Sequence, residues 1–369
     1  MSDEQREGDG VEGRPVRVGL VTSVGRTLDA FFPAIVERLE ERWGFAVSSA
    51  SGTESRLASW TRLEGFSQRP SLKVPTALRA VRAWSRELDH DVVITNTATA
   101  SALVRAAGLR APVVYFCHGL HWGQEDTLGA RPWQVVETAL LRRTAAVITI
   151  NRDDQAWFER HAGPPVHRLP YGVGVPLEEY PRAGVPGAGL ELVWVGDFTP
   201  RKRPLLAVAV IRRLAEAGCD VRLRMLGDGP LHSAVVREIA AQGLAHVIRA
   251  DGRDRVAPAL AAATALLHTA EWEGLPRVAL EAAAVGRWSY GFDVKGLRDA
   301  PLVRLAPDGD ADALARLIQD DHARGALQEV PDVRDALAVA AAADGIGAAV
   351  LATLGRPRPA HQDEGPTPQ

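Results

Sequence analysis

The stretch Glu271-Trp272-Glu273-Gly274-Leu275-Pro276-Arg277-Val278-Ala279-Leu280-Glu281-Ala282 sets two carboxylates, Glu273 and Glu281, eight positions apart around a Gly-Leu-Pro turn. The apolar run Ala265-Leu266-Leu267-His268-Thr269 precedes it and reads as a short strand. An Ala-rich run follows and reads as a helix over 276–285, with Pro276 in its first turn, where a missing N–H leaves no helical bond unmade. Eight residues is a little over two helical turns, so Glu281 faces roughly the way the helix start faces. Strand, glycine turn and helix form the unit of a parallel α/β sheet. A hydroxyl-rich ligand at the carboxyl end of such a sheet would meet both carboxylates.

The same unit recurs upstream. A strand at 192–195 runs into Gly196-Asp197-Phe198-Thr199-Pro200-Arg201-Lys202-Arg203-Pro204, followed by a predicted helix over 204–217. Three adjacent cations repel one another, which suits a loop that receives an anion, and the helix start adds partial positive charge and free N–H groups. A diphosphate is the natural guest, although this loop alone does not choose between that and a solvated basic turn. The next strand, 221–226, ends in Gly227-Asp228-Gly229-Pro230 before a helix over 231–242; glycine permits close backbone approach and proline presets the helix start. A short strand at 247–248 and a helix over 256–263 complete the path back to the carboxylate pair.

The first half alternates in the same way. Strands are predicted at 16–21, 45–49, 92–95, 113–117 and 146–150, with helices at 100–107 and 153–161. One amphipathic helix should follow the Gly25 turn and run to about Arg42. The aperiodic, Pro/Gly-rich run 180–189 reads as a linker. The organisation expected is therefore α/β, with a disordered segment 1–14, a first domain 15–180, a linker 181–190, a second domain 191–355 and a disordered tail 356–369. Two such halves imply a cleft between facing strand ends.

Composition sets the outer bounds. With 369 residues, 46% hydrophobic and 24% charged, and a net charge of −3, the chain fits a globular protein and nothing calls for nucleic acid. Cys117 and Cys219 are the only cysteines and lack CxxC spacing, so neither a disulfide nor a zinc site is expected and a reducing cytoplasm fits. No stretch reaches 18 uninterrupted apolar residues, and residues 1–14 lack the apolar core of a signal peptide. A helix over 76–88 should place Leu78, Val81, Trp84 and Leu88 on one side and Arg79, Arg82 and Arg86 on another. That basic face admits weak peripheral contact with anionic lipid, or a lipid-phosphate acceptor, beside the plainer reading of a solvated face.

Taken in order and spacing, the loop through Lys202, the Gly-Asp-Gly-Pro turn at 227–230 and the Glu273/Glu281 pair resemble the donor half of glycosyltransferase family 4, the retaining GT-B enzymes. Tyr115-Phe116-Cys117-His118-Gly119-Leu120-His121-Trp122 is similar to the His-Gly-hydrophobic-His signature of an exopolysaccharide and capsule branch of that family. Val147-Ile148-Thr149-Ile150-Asn151-Arg152-Asp153-Asp154 and Tyr171-Gly172-Val173-Gly174-Val175 extend the likeness.

The resemblance implies two Rossmann-like domains facing across a cleft, with the last helix packing back on the first domain. It also implies a metal-independent hexosyltransferase with no cofactor, using a nucleotide sugar, specifically a UDP-sugar. The acceptor would be a saccharide, a polyprenyl-linked glycan or a small-molecule natural product, met in the cytoplasm or at the inner face of the membrane. His118, Lys202 and Glu273 take the catalytic positions. Gly25, Gly196, Arg201, Lys202, Arg203, Gly227, Gly229, Gly252, Arg253, Glu273, Gly274, Leu275, Pro276 and Glu281 take donor-binding positions, with Glu273 on sugar hydroxyls and Glu281 on the ribose. His121 is left without a role.

Three features depart from the family pattern: Asp197 stands where arginine is common, Gly286-Arg287-Trp288-Ser289-Tyr290 replaces the usual strand entry, and Lys295 stands where glycine is common near the donor. A glycosidase's carboxylate pair is a different reading of Glu273 and Glu281, but it leaves the cationic loop without a purpose. A sugar-nucleotide epimerase of the same architecture and a non-catalytic nucleotide-sugar-binding subunit are the alternative functions.

Overall fold

A computed structural model describes residues 14–68, 72–122, 129–161, 163–187 and 189–357; the segments 1–13 and 358–369, within the stretches expected to be disordered, lie outside them. The N-terminal elements are β1 (Arg17–Val21), α1 (Gly25–Phe31), α2 (Pro33–Glu41), β2 (Ala46–Ser51), β3 (Trp60–Arg62), α3 (Val74–Glu87), β4 (Val92–Asn96), α4 (Ala98–Ala107), β5 (Val113–Cys117), α5 (Arg131–Leu141), β6 (Ala146–Thr149), α6 (Arg152–Arg160) and β7 (Val166–Arg168). They build a seven-stranded sheet in the order β3-β2-β1-β4-β5-β6-β7.

The second sheet draws on β8 (Leu190–Val195), α7 (Pro204–Glu216), β9 (Val221–Leu226), α8 (His232–Ala241), β10 (Ile248–Gly252), α9 (Val256–Ala262), β11 (Ala265–His268), α10 (Arg277–Val285), β12 (Trp288–Phe292), β13 (Val303–Ala306), α11 (Ala311–Ala323), α12 (Arg334–Leu337) and α13 (Val339–Leu354). Its six strands run β10-β9-β8-β11-β12-β13 and pair in parallel. Both orders walk outward one way and then return to start the other way, as doubly wound sheets do. This places the loops after β8 and β11 on either side of a topological switch point. Two stretches some seventy residues apart in sequence are thereby neighbours in space.

The chain divides into two compact units, one holding the described residues up to Val114 and from Val350, the other holding Tyr115–Ala349. In the first, Val21, Val81, Trp84, Val93, Val104 and Val113 pack into a core. The second has a large core that includes Leu192, Trp194, Val208, Ile211, Leu223, Leu267, Ala279 and Tyr290. Every residue of β5 and of β11 is buried, so these strands read as continuous apolar runs rather than alternating ones.

Several local expectations need correction. The single helix to Arg42 is broken into α1 and α2 at Pro33, which has no N–H to continue the ladder and instead starts a new helix. Pro276 is the N-cap of α10, in extended backbone, not part of its first turn. The strand at 247–248 is longer, reaching Gly252 with a register shift between Ala250 and Gly252. On α3 the covered residues are Ala77, Val81, Trp84 and Ser85, whereas Leu88 caps the helix and is 41% exposed. Of its arginines, Arg82 donates from Nε to the Ala107 carbonyl at 2.6 Å. Among the described residues no helix is long and apolar enough to cross a membrane.

Candidate active site

The loop after β8 carries the three cations as a short 3₁₀ turn, Pro200–Lys202, and its backbone is fixed by its neighbour across the switch point. Thr269 donates its hydroxyl towards the carbonyls of Lys202 (2.9 Å) and Arg203 (3.0 Å), and the Glu271 N–H bonds the Arg201 carbonyl at 2.8 Å. The side chains then converge. Lys202 Nζ meets Glu273 Oε1, and Arg201 meets Oε2 of the same carboxylate at 2.9 Å. Arg201 also bonds the Trp272 carbonyl at 2.9 Å and lies 5.0 Å from the Trp272 ring centre. Burial pushes the Glu273 carboxyl up, but Lys202 and Arg201 pull it further down, to a net position below the usual carboxylate range. Arg203, the left-handed residue that caps α7, turns away to Asp308 at 2.6 Å.

Glycines bring the loops within reach of each other. A Cβ on Gly274 would stand 1.7 Å from the His118 carbonyl, and one on Gly119 (φ +130°) would stand 2.7 Å from Gly274 Cα. The turn after β5 and the turn after β11 therefore touch backbone to backbone, which only glycine on both sides permits. The Gly274 carbonyl accepts from Asn151 Nδ2 at 2.8 Å, and the Glu273 N–H bonds the Lys295 carbonyl at 3.0 Å. Gly227 and Gly196 meet in the same fashion, since a Cβ on Gly227 would lie 1.9 Å from the Gly196 carbonyl. Gly229 packs against Phe198, so these turns use their glycines to join loops to each other.

His118 follows β5 with its ring 4.2 Å from that of Phe116, and burial lowers its pKa to about 4, leaving a neutral imidazole at pH 7. His121 sits edge-on to Trp272 at 6.1 Å. Glu281 belongs to a separate group: Arg277 bonds it at 2.9 Å and the Tyr180 hydroxyl also reaches it, both on the α10 side. Leu275 is half-buried against the second core and Pro276 is buried. Gly252 (φ +76°) has open space beside it and Arg253 is exposed. Gly25 opens α1 in the other compact unit, against the Glu54 carbonyl.

The residues that sequence reasoning missed are those that hold these loops. Asn151 caps α6 and bonds Asp154 as well as Gly274. Lys295 is 7% exposed and pairs with Asp154 at 2.6 Å, while donating to the carbonyls of Leu120 (2.7 Å) and Trp122 (2.9 Å). It fastens the His118–Trp122 segment to the end of β12, a structural task behind its departure from glycine. Arg287, the other departure, is fully buried and donates to the carbonyls of Ala261, Ala263, Ala183, Gly184 and Gly286. Asn151 and Asp154 stood inside a motif quoted from the sequence, and Arg287 and Lys295 among its departures, but the pairing of Asp154 with Lys295 spans 141 positions and had no local signal.

Two doubly wound sheets, with charged loops meeting at a switch point, have the architecture of the GT-B fold. The model of "Glycosyltransferase Family 4" matches residues 36–175, and that of "Glycosyl transferases group 1" matches 189–320. The chain belongs to glycosyltransferase family 4. Among solved structures it is similar to sucrose-phosphate synthase from Thermosynechococcus elongatus, at 18% identity and a TM-score of 0.73 over 92% of this chain and 99% of that one. HepE from Anabaena, in complex with UDP and glucose, aligns at 16% identity and a TM-score of 0.68 over the same shares. A glycosyltransferase from Rickettsia africae aligns at 14% and 0.70, again over 92% and 99%. No curated protein matches the chain.

Proposed function

We propose that this glycosyltransferase is a retaining, metal-independent hexosyltransferase that takes a UDP-sugar as donor and passes the sugar to a hydroxyl of a glycan, lipid-linked or natural-product acceptor. The observation that carries the reading is the convergence of Lys202, Arg201 and Glu273 across the β8/β11 switch point. As the sugar C1–O bond breaks, negative charge grows on the departing diphosphate, and Lys202 and Arg201 neutralise it in place of a metal ion. Glu273 accepts from donor-sugar hydroxyls. His118, neutral at pH 7, hydrogen-bonds the sugar without adding a charge that would compete for the phosphate. The acceptor oxygen forms the new C1–O bond on the face the diphosphate leaves, and its proton departs with the diphosphate. The UDP bound to HepE supports the choice of nucleotide.

Lys202 and Arg201 both pair with Glu273, so the diphosphate must draw them off. Each such charge-assisted bond is worth about 1.5–3 kcal/mol. Lys202→Met is therefore expected to weaken UDP binding by about ten- to a hundredfold. The test is a thermal-shift panel of UDP-, GDP- and ADP-sugars on the wild type and Lys202→Met. A UDP-sugar that raises the melting temperature of the wild type alone supports the reading, and no shift with any of them refutes it.

A further inference from the structure

His268, the last residue of β11, has no part in the chemistry above, yet it faces the same carboxylate. It is 3% exposed, and among the described residues neither ring nitrogen has a hydrogen-bond partner. Its Nε2 stands 3.8 Å from Glu273 Oε1, beyond bonding distance, and that oxygen is the one Lys202 occupies. The preceding residues of the strand, Leu266 and Leu267, are fully buried, so a leucine would suit this position and leave no polar atom unsatisfied. A buried imidazole kept there without a partner calls for a use outside the packing.

We propose that His268 is a positioning residue that takes over Glu273 Oε1 through its Nε2–H when Lys202 turns to the donor diphosphate. The inference rests on the donor-site reading of Lys202 and Glu273. Once the diphosphate draws away Lys202 and Arg201, Glu273 loses both bonds that orient it while it must still present its oxygens to the sugar hydroxyls. A movement of about 1 Å brings Nε2 and Oε1 to bonding distance. The ring that donates is the neutral imidazole. Burial and the nearby Lys202 and Arg201 keep the ring neutral down to about pH 4, against the opposing pull of Glu273. On the neighbouring strand its register partner is Gly291, which carries no side chain.

The test compares the full-length wild type with His268→Leu and His268→Gln, whose amide N–H can stand in for Nε2–H. Calorimetry measures Kd for UDP and for UDP-glucose, and thermal unfolding measures stability. In His268→Leu the Kd for UDP stays within about twofold, because the diphosphate still receives Lys202. Its Kd for UDP-glucose rises about tenfold or more, the melting temperature does not fall, and His268→Gln recovers most of the loss. Leucine binding UDP-glucose as tightly as the wild type overturns the inference. So does an equal weakening for both ligands, a lowered melting temperature that accounts for the loss, or a glutamine variant no better than leucine. A wild type that binds neither UDP nor UDP-glucose overturns the donor-site reading itself, and the inference falls with it.

Discussion

Replacing Lys295 with methionine separates its structural task from a donor-binding one. The ammonium lies in a buried pocket with Asp154 at 2.6 Å and the Leu120 and Trp122 carbonyls at 2.7 and 2.9 Å. Methionine fills much the same volume but leaves the Asp154 carboxylate, 1% exposed, with the Asn151 amide and the Leu120 N–H as its partners among the described residues. Breaking a buried ion pair in this manner costs about 3–5 kcal/mol. At roughly 2–4 °C per kcal/mol for a unit of about this size, the melting temperature should fall by about 6–20 °C.

Burial already pushes the Asp154 carboxyl up, with Lys295 opposing. Without Lys295 it rises further, so the folded chain binds more protons than the unfolded one above the ordinary carboxylate range. The stability of the variant then decreases as pH rises, and its deficit shrinks as pH falls towards the raised carboxyl pKa. Urea unfolding of Lys295→Met, Asp154→Asn and the double variant gives the coupling, expected at about 2 kcal/mol or more. Additivity within about 0.5 kcal/mol, or a single-variant cost below about 1 kcal/mol, would refute the reasoning.

Gly274→Ala places a methyl 1.7 Å from a carbonyl that no side-chain rotation can move, so it should destabilise the chain by about 1–3 kcal/mol in urea and abolish transfer more severely than it unfolds the protein. Arg287→Met removes the guanidinium from six carbonyls and should cost about 3–5 kcal/mol in thermal unfolding; Arg287→Lys, with a point charge in place of the planar fork, should recover little of it. His90 and His268 are buried, with pKa values lowered to about 4. The unfolded chain protonates both near 6.5, so each contributes stability present above that pH and lost as pH falls towards 4. Acidifying from pH 7 to 5 should remove about 2 kcal/mol per residue, read as a falling urea midpoint that flattens in the corresponding glutamine variants.

The sequence by itself determined the units of this fold and the ends of the chain's charged loops. Runs such as 113–117 and 265–267 are apolar because both faces of a parallel strand are covered, and the glycine turns after them mark where each strand gives way. From that local pattern Lys202 and Glu273 could be singled out, since loop cations and loop carboxylates are readable one segment at a time, whereas His118 was picked out through the family resemblance. The break at Pro33 was also in principle legible, because proline's missing N–H acts locally.

Tertiary structure decided the partnerships. The reversal of strand order beside β8 and β11 is what brings Arg201 and Lys202 to Glu273 while α7 turns Arg203 outward to Asp308. Tertiary structure likewise sets Tyr180 against Glu281, whose pair with Arg277 is only one helical turn away in sequence, and makes Lys295 and Arg287 internal fasteners. His268 was quoted as one letter of an apolar strand, and its meaning lies in a burial and a 3.8 Å distance that no periodicity encodes. A backbone pattern is a property of neighbours along the chain, whereas the energy of a buried charge or an unpaired ring nitrogen depends on which distant groups the fold sets beside it.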